Sequence, residues 1–190
     1  AYNGNRGAGI CLVQTAGRVS NCLITHNKKQ WDSSRNNISL CAIQGGLIDN
    51  CTIKDCWLLK YNPNKKYQMS RSDYGFEVSA GARAYNLTIA NLHYDIPVGD
   101  GEDAEELKAA AYAEQPRRWA GTAASFVNCA TDDAAPINAT CFVGTLEPNS
   151  LFADYAAGDF TPGAVTKNKG VVIDGYPFPS VDLLGNPRVQ

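Results

Sequence analysis

Apolar and polar positions alternate along this chain in short runs, and the runs recur with one ending. Val19-Ser20-Asn21-Cys22-Leu23-Ile24 returns as Ile48-Asp49-Asn50-Cys51-Thr52-Ile53 and as Ala84-Tyr85-Asn86-Leu87-Thr88-Ile89. A weaker copy is Phe126-Val127-Asn128-Cys129-Ala130-Thr131. From Asn21 to Asn50, on to Asn86 and on to Asn128, the steps are 29, 36 and 42 residues. The motif is fixed while its connections lengthen, which predicts a solenoid whose units bury their apolar faces only against their neighbours. Period-two runs rich in β-branched types predict strands rather than helices. In Asn50-Cys51-Thr52-Ile53 the pleat sends Cys51 and Ile53 to one face and Asn50 and Thr52 to the other. Asn ahead of an inward Cys marks a corner, because Asn tolerates left-handed backbone. Stacked about 4.8 Å apart, Asn21, Asn50, Asn86 and Asn128 form a ladder whose amides bond along the stack. Cys22, Cys51, Leu87 and Cys129 form the inward column beside it.

A second set of runs precedes the first. Ile10-Cys11-Leu12-Val13, Leu40-Cys41-Ala42-Ile43 and Gly75-Phe76-Glu77-Val78 each lead through a glycine turn (Gly17, Gly45-Gly46, Gly81) into the Asn corner. Cys11 and Cys41 are placed in one stacking column. This order of strand, glycine turn, strand and Asn corner resembles the right-handed parallel β-helix of the pectate-lyase-like superfamily, over about residues 7–142. The resemblance implies an all-β fold, a solenoid of parallel coils over residues 1–146. One surface helix is predicted within it at about 100–116, where Asp100 caps, acidic residues line the first turn and Pro116 stops it. From Glu147 the chain turns irregular. Asn149-Ser150-Leu151-Phe152-Ala153-Asp154, Gly158-Asp159-Phe160, Gly163 to Gly170 and Asp182 to Arg188 resemble the closing segment of bacterial surface β-helices, the choice-of-anchor Q group and polymorphic outer-membrane proteins. Residues 147–190 are therefore expected to cap the solenoid, whose last coil has an apolar end and an open edge.

Composition narrows the function classes. At 190 residues and 44% hydrophobic, the chain can bury a core of its own. A formal net charge of −2 offers no cationic excess for nucleic acid. No apolar run approaches the roughly 20 residues of a membrane-spanning helix. The loop-like opening Ala1 to Gly7, without Met, leads us to expect further N-terminal coils in a longer chain, and an open strand edge at residues 9–13. Seven cysteines would suggest disulfides. Five occupy stacking positions, where reduced Cys packs as a small hydrophobe. No Cys-x-x-Cys occurs for zinc, and His26 and His93 are isolated.

Chemistry is less legible. No hydrolase, metalloprotease or nucleotide-binding motif is present. Insertions are placed from Lys28, Trp57 and His93, each seven residues after a ladder Asn, so they should emerge on one side of the stack. All three tryptophans are placed in these insertions. Trp31, Trp57 and Trp119, with Tyr61, Lys60, Lys65, Lys66, Arg71 and Arg117, make a candidate surface for a polysaccharide, acidic if the cations take part. Loops anchored by their own aromatics would leave the same pattern. The resemblance implies a secreted or cell-surface protein that binds polysaccharide or adheres without catalysis. The alternative it implies is a polysaccharide lyase or other glycan-active enzyme, with Arg71, Lys60 or Tyr61 as base. No cofactor is expected; calcium is the one ion that Asp55, Asp73 or Asp132-Asp133 could take.

Overall fold

The computed structural model describes residues 6–12, 16–31, 39–60, 74–79, 81–95, 117–121, 123–132, 138–143, 151–167, 169–177, 179–181 and 185–187. The fold is all-β and built of parallel sheets. The first sheet takes β1 (Arg6–Leu12), β5 (Ser39–Ile43), β8 (Tyr74–Val78) and β11 (Arg117–Ala120). The second takes β2 (Arg18–Ser20), β6 (Leu47–Asp49), β9 (Arg83–Tyr85) and β12 (Phe126–Val127). The third takes β3 (Leu23–Thr25), β4 (Lys28–Trp31), β7 (Thr52–Lys60), β10 (Thr88–Asp95), β13 (Ala130–Thr131) and β14 (Phe142–Val143). The chain visits the sheets in rotation, and corresponding strands lie side by side in register. Ile24 pairs with Ile53, Ile53 with Ile89 and Ile89 with Thr131, which puts the repeat read from the sequence directly into the sheet.

Each ladder Asn sits at a left-handed corner, with φ of 53° at Asn21, 50° at Asn50, 53° at Asn86 and 56° at Asn128. L-residues avoid this region, and Asn is among the few that enter it without heavy strain. The bonding from repeat to repeat runs through the backbone. Asn21, Asn50 and Asn86 donate their N–H to the carbonyls of Asp49 (3.2 Å), Tyr85 (3.0 Å) and Val127 (2.9 Å). Two residues on, Thr52, Thr88 and Ala130 donate back to Cys22 (2.9 Å), Cys51 (3.0 Å) and Leu87 (2.7 Å). The side-chain amides have other partners: Asn50 Nδ2 donates to Asp49 and Tyr176, and Asn128 bonds Val171. Asn86 Nδ2 is buried with no partner.

A second left-handed series follows five residues later, at His26 (57°), Asp55 (51°) and Asn91 (50°). It repeats the backbone pattern: His26 N–H donates to Asp55 C=O at 3.0 Å, and Trp57 N–H donates back to Asn27 C=O at 2.8 Å. Here the strand bends and continues instead of breaking into a loop.

Inside, the columns meet in one core that includes Ile43, Ile48, Ile53, Phe76, Ala84, Leu87, Ile89, Phe126 and Cys129, each 1% exposed or less. The Cys column is confirmed as inward at Cys51, Leu87 and Cys129, and Cys141 extends it by one place. Cys22, Cys51, Cys56, Cys129 and Cys141 are free thiols. Register corrects the other column: Cys41 lies beside Ile10, and Cys11 beside Ala42, so Cys11 and Cys41 are offset by one residue. Among the described residues, no further strand follows β12 in the second sheet. Asn138 Nδ2 donates to Phe126 C=O of β12 (2.8 Å), a carbonyl that a following strand would take, and to Ala123 C=O (2.7 Å) in the turn before it.

The described tail lies along the flank of the sheets. A hairpin of β15 (Phe152–Asp154) and β16 (Asp159–Pro162) packs Leu151, Phe152 and Phe160 against Ala90 and Ala130 of the third sheet. The predicted helix at 100–116 lies outside the described residues.

The corners set a stability test. Asn50→Gly keeps the left-handed conformation but removes the amide bonds, and should destabilise by about 1–3 kcal/mol. Asn86→Gly removes an amide whose Nδ2 has no partner, leaving mainly the backbone-entropy term of about 0.5–1 kcal/mol. Urea denaturation of both variants checks this, and equal losses would count against it.

Candidate functional site

Two surfaces gather chemistry-bearing side chains. The first lies where the third-sheet strands run on past the second corner. Register sets Lys28 beside Trp57 and Trp57 beside His93. The His93 ring stacks on Trp57 with centroids 4.7 Å apart and planes 16° apart. From the opposite neighbour, Lys28 Nζ stands 5.5 Å from the Trp57 centroid, within cation–π reach. His26 adds a tilted ring at 6.0 Å and bonds Thr25 Oγ1 through Nδ1 at 2.8 Å. Lys28 and His26 are exposed, while Trp57 and His93 are half-buried. Strand alternation makes this column, since Cys56 and Leu92 turn into the core and the residue after each turns out.

Acidic groups nearby are already engaged. Asp55 Oδ1 accepts from Asn91 Nδ2 at 2.6 Å, and its other oxygen faces Lys54 at 3.5 Å. Asp132 Oδ2 accepts from Asn91 N–H and from the Tyr155 hydroxyl, both at 2.8 Å. Lys54 Nζ donates to Gly158 C=O at 3.0 Å and lies 4.8 Å from the Phe160 centroid, holding the tail hairpin. Among the described residues, no three His, Cys, Asp or Glu side chains gather where they could hold a metal. The thiols of Cys51 and Cys56 are packing groups: burial pushes Cys51 up to about 12, and raises Cys56 as well.

The second surface is the Asn corner. Asp49 is fully buried and bound by Arg18 through Nε (3.0 Å) and Nη2 (2.7 Å), the bidentate geometry that suits guanidinium and carboxylate. The Tyr176 hydroxyl, from the tail, donates to Asp49 Oδ2, and Asn50 Nδ2 donates to that hydroxyl at 3.1 Å. Tyr85 meets the Tyr176 ring edge-on at 5.2 Å, and the Arg18 guanidinium carbon lies 5.9 Å from its centroid. Burial works against the charged form of Asp49. Hydrogen bonds from Arg18, Tyr176 and Ser20 outweigh it and hold the carboxyl below its ordinary range. Burial, then the bond to Asp49, pushes Tyr176 up to about 12.

Sequence reasoning brought part of this together. Trp31 ends β4 and is the register partner of Lys60 at the end of β7, so Trp31, Trp57 and Lys60 share the third sheet. Trp119 and Arg117 do not join them: both lie on β11 of the first sheet, where Trp119 pairs with Phe76 and Arg117 with Tyr74. All three tryptophans stand on strands, which corrects their placement in insertions. Lys28, Trp57 and His93 likewise continue paired strands instead of opening loops. The intervening segments 32–38, 61–73 and 96–116 do all fall between a third-sheet strand and a first-sheet strand. Tyr61, Lys65, Lys66, Arg71 and Asp73 lie outside the described residues. His26, His93, Arg18, Asp49 and Tyr176 were missed. The five-residue offset of His26, Asp55 and Asn91 from the ladder Asn was the available signal for the second corner.

Comparison with known proteins found no matching family model, no matching curated protein and no matching solved structure.

The Asp49–Tyr176 contact has a signed pH dependence. A depressed Asp49 contributes stability above about pH 4, lost as pH falls through its lowered pKa. A raised Tyr176 contributes below about pH 10, lost as pH rises through its folded value. The stability gap between wild type and Asp49→Asn should be flat from about pH 5 to 9 and shrink beyond pH 4 and pH 10. A gap as wide at pH 2.5 as at neutrality would show that the ionised contact is not what holds it.

Proposed function

We propose that this chain is a right-handed parallel β-helix of a secreted or cell-surface protein, and that it binds an acidic polysaccharide without catalysis. Rotation of the strands through three parallel sheets supports the coil, and right-handed crossovers are the rule for parallel connections. The observation that carries the binding is the column Lys28–Trp57–His93, with His26 beside it. His93 takes one face of Trp57 and Lys28 approaches from the other side, so the indole does not offer a free face for a sugar ring. Its part is to hold an ammonium and two imidazoles at strand spacing. These supply positive charge and N–H donors to carboxylates or sulfates along a chain of sugars.

Titration of polygalacturonate, a sulfated glycan and a neutral glucan tests this. Wild type should prefer the acidic polymers, more so at low salt. Lys28→Ala should weaken binding about threefold to tenfold, the effect of one largely exposed charge contact. Trp57→Ala should weaken it further, since the column loses its centre. Equal binding to the neutral glucan, or no binding, would overturn the proposal. Ultraviolet absorbance growing with time would mark β-elimination and put a lyase in its place.

A further inference from the structure

The tail segment 169–177 crosses the Asn corner as a bound peptide would. Asn128 clamps it at one point with two bonds: Nδ2 donates to Val171 C=O at 2.8 Å, and Oδ1 accepts from Val171 N–H at 2.8 Å. This pairing gives a single backbone residue the two bonds a strand edge would give it. Gly170 leaves room for the clamp: a Cβ there would come within 3.2 Å of Asn128 Nδ2, and the amide would have to give by a few tenths of an ångström. Past Val171 the segment turns, with Tyr176 N–H on Ile173 C=O at 3.2 Å and Gly175 at φ 68°. The Tyr176 phenol then enters the socket of Asp49, Asn50, Arg18 and Tyr85. Asn86, the ladder residue between Asn50 and Asn128, has its Nδ2 buried with no partner.

Between its two anchors the segment is barely attached. Val171 is 47% exposed and Val172 is 77% exposed, and Asp174 and Gly175 are exposed too. A stretch with so few buried apolar contacts belongs to the low end of local stability and opens without unfolding the sheets. The socket does not depend on it: Arg18 and Asp49 hold each other, and Asn50, Asn86 and Asn128 are fixed by their corners.

We propose that the Asn corner is a peptide-binding groove, filled here in cis by residues 169–177, and that the matching segment of a second copy of this chain can fill it in trans. It reads a glycine before the clamped residue and a tyrosine five residues after it. In cis the segment has an effective concentration of about millimolar, so an added peptide at micromolar concentration competes poorly with it. Weakening the cis anchor opens the groove.

A fluorescent peptide with the sequence of residues 169–177 tests this on the full chain. It should bind Tyr176→Ala at least about tenfold more tightly than wild type. Tyr176→Phe within the peptide should weaken that binding, and adding Asn128→Ala to the protein should abolish it. Equal binding to wild type and Tyr176→Ala, no binding to either, or equal binding of a scrambled peptide would overturn the proposal. Hydrogen exchange on wild type gives a check free of any variant. Amides of residues 171–176 should exchange at least about a hundredfold faster than those of Ile48, Ile53 and Ile89, as expected for local opening. Exchange as slow as in the sheets would overturn a detachable segment.

Discussion

The left-handed residue at each corner is the constraint on which the rest depends. In a regular parallel strand, the N–H groups of residues two apart point to the same neighbouring strand. Here they do not. Asn50 donates forward to Tyr85, and Thr52 donates backward to Cys22. One left-handed residue reverses the sense of the peptide that follows, so the chain turns through the corner while every donor still meets an adjacent repeat. His26 and Trp57 follow the same rule at the second corner. A buried N–H left unpaired would destabilise by roughly 1–3 kcal/mol, and these corners avoid that penalty repeatedly.

Once the corners set the register, identical positions are forced into columns, and each column must suit one environment. The inward ones carry Ile, Leu, Cys and Phe because neighbouring repeats share a single core. The outward ones are free to differ. Ala90 and Ala130 are small where the tail hairpin lies on them, and Lys54 reaches over its Phe160 ring. One step past the second corner, the outward column is Lys28, Trp57 and His93, and nothing described in the tail covers it. Exposure and stacking there arise from the same alternation that buries Cys56 and Leu92.

The parts of this fold that were legible in the sequence are those written locally. Period-two alternation and the recurring Asn gave the strands, the corners and the inward Cys column. Two features escaped because their signal is not local. The second corner uses three residue types, His26, Asp55 and Asn91, united by a tolerance of left-handed backbone and not by identity. Trp31 reads as a loop residue because Lys, Gln and Asp crowd the run after Asn27. Strand pairing with β7 overrides that polar composition. The Asp49 socket could not be read at all, since its tyrosine comes from 127 residues away.

The bonds of Asn128 to Val171 and of Tyr176 to Asn50 tie five residues of tail across two steps of the stack. Two steps of about 4.8 Å make about 10 Å, which five residues span with a turn to spare; a third step would use nearly their full reach. The segment is in effect a ruler. Connections between repeats can lengthen, as the growing steps show, and leave it undisturbed. Duplicating or deleting a whole repeat between Asn50 and Asn128 would throw its two ends out of measure, so the tail fixes the number of repeats between those two corners.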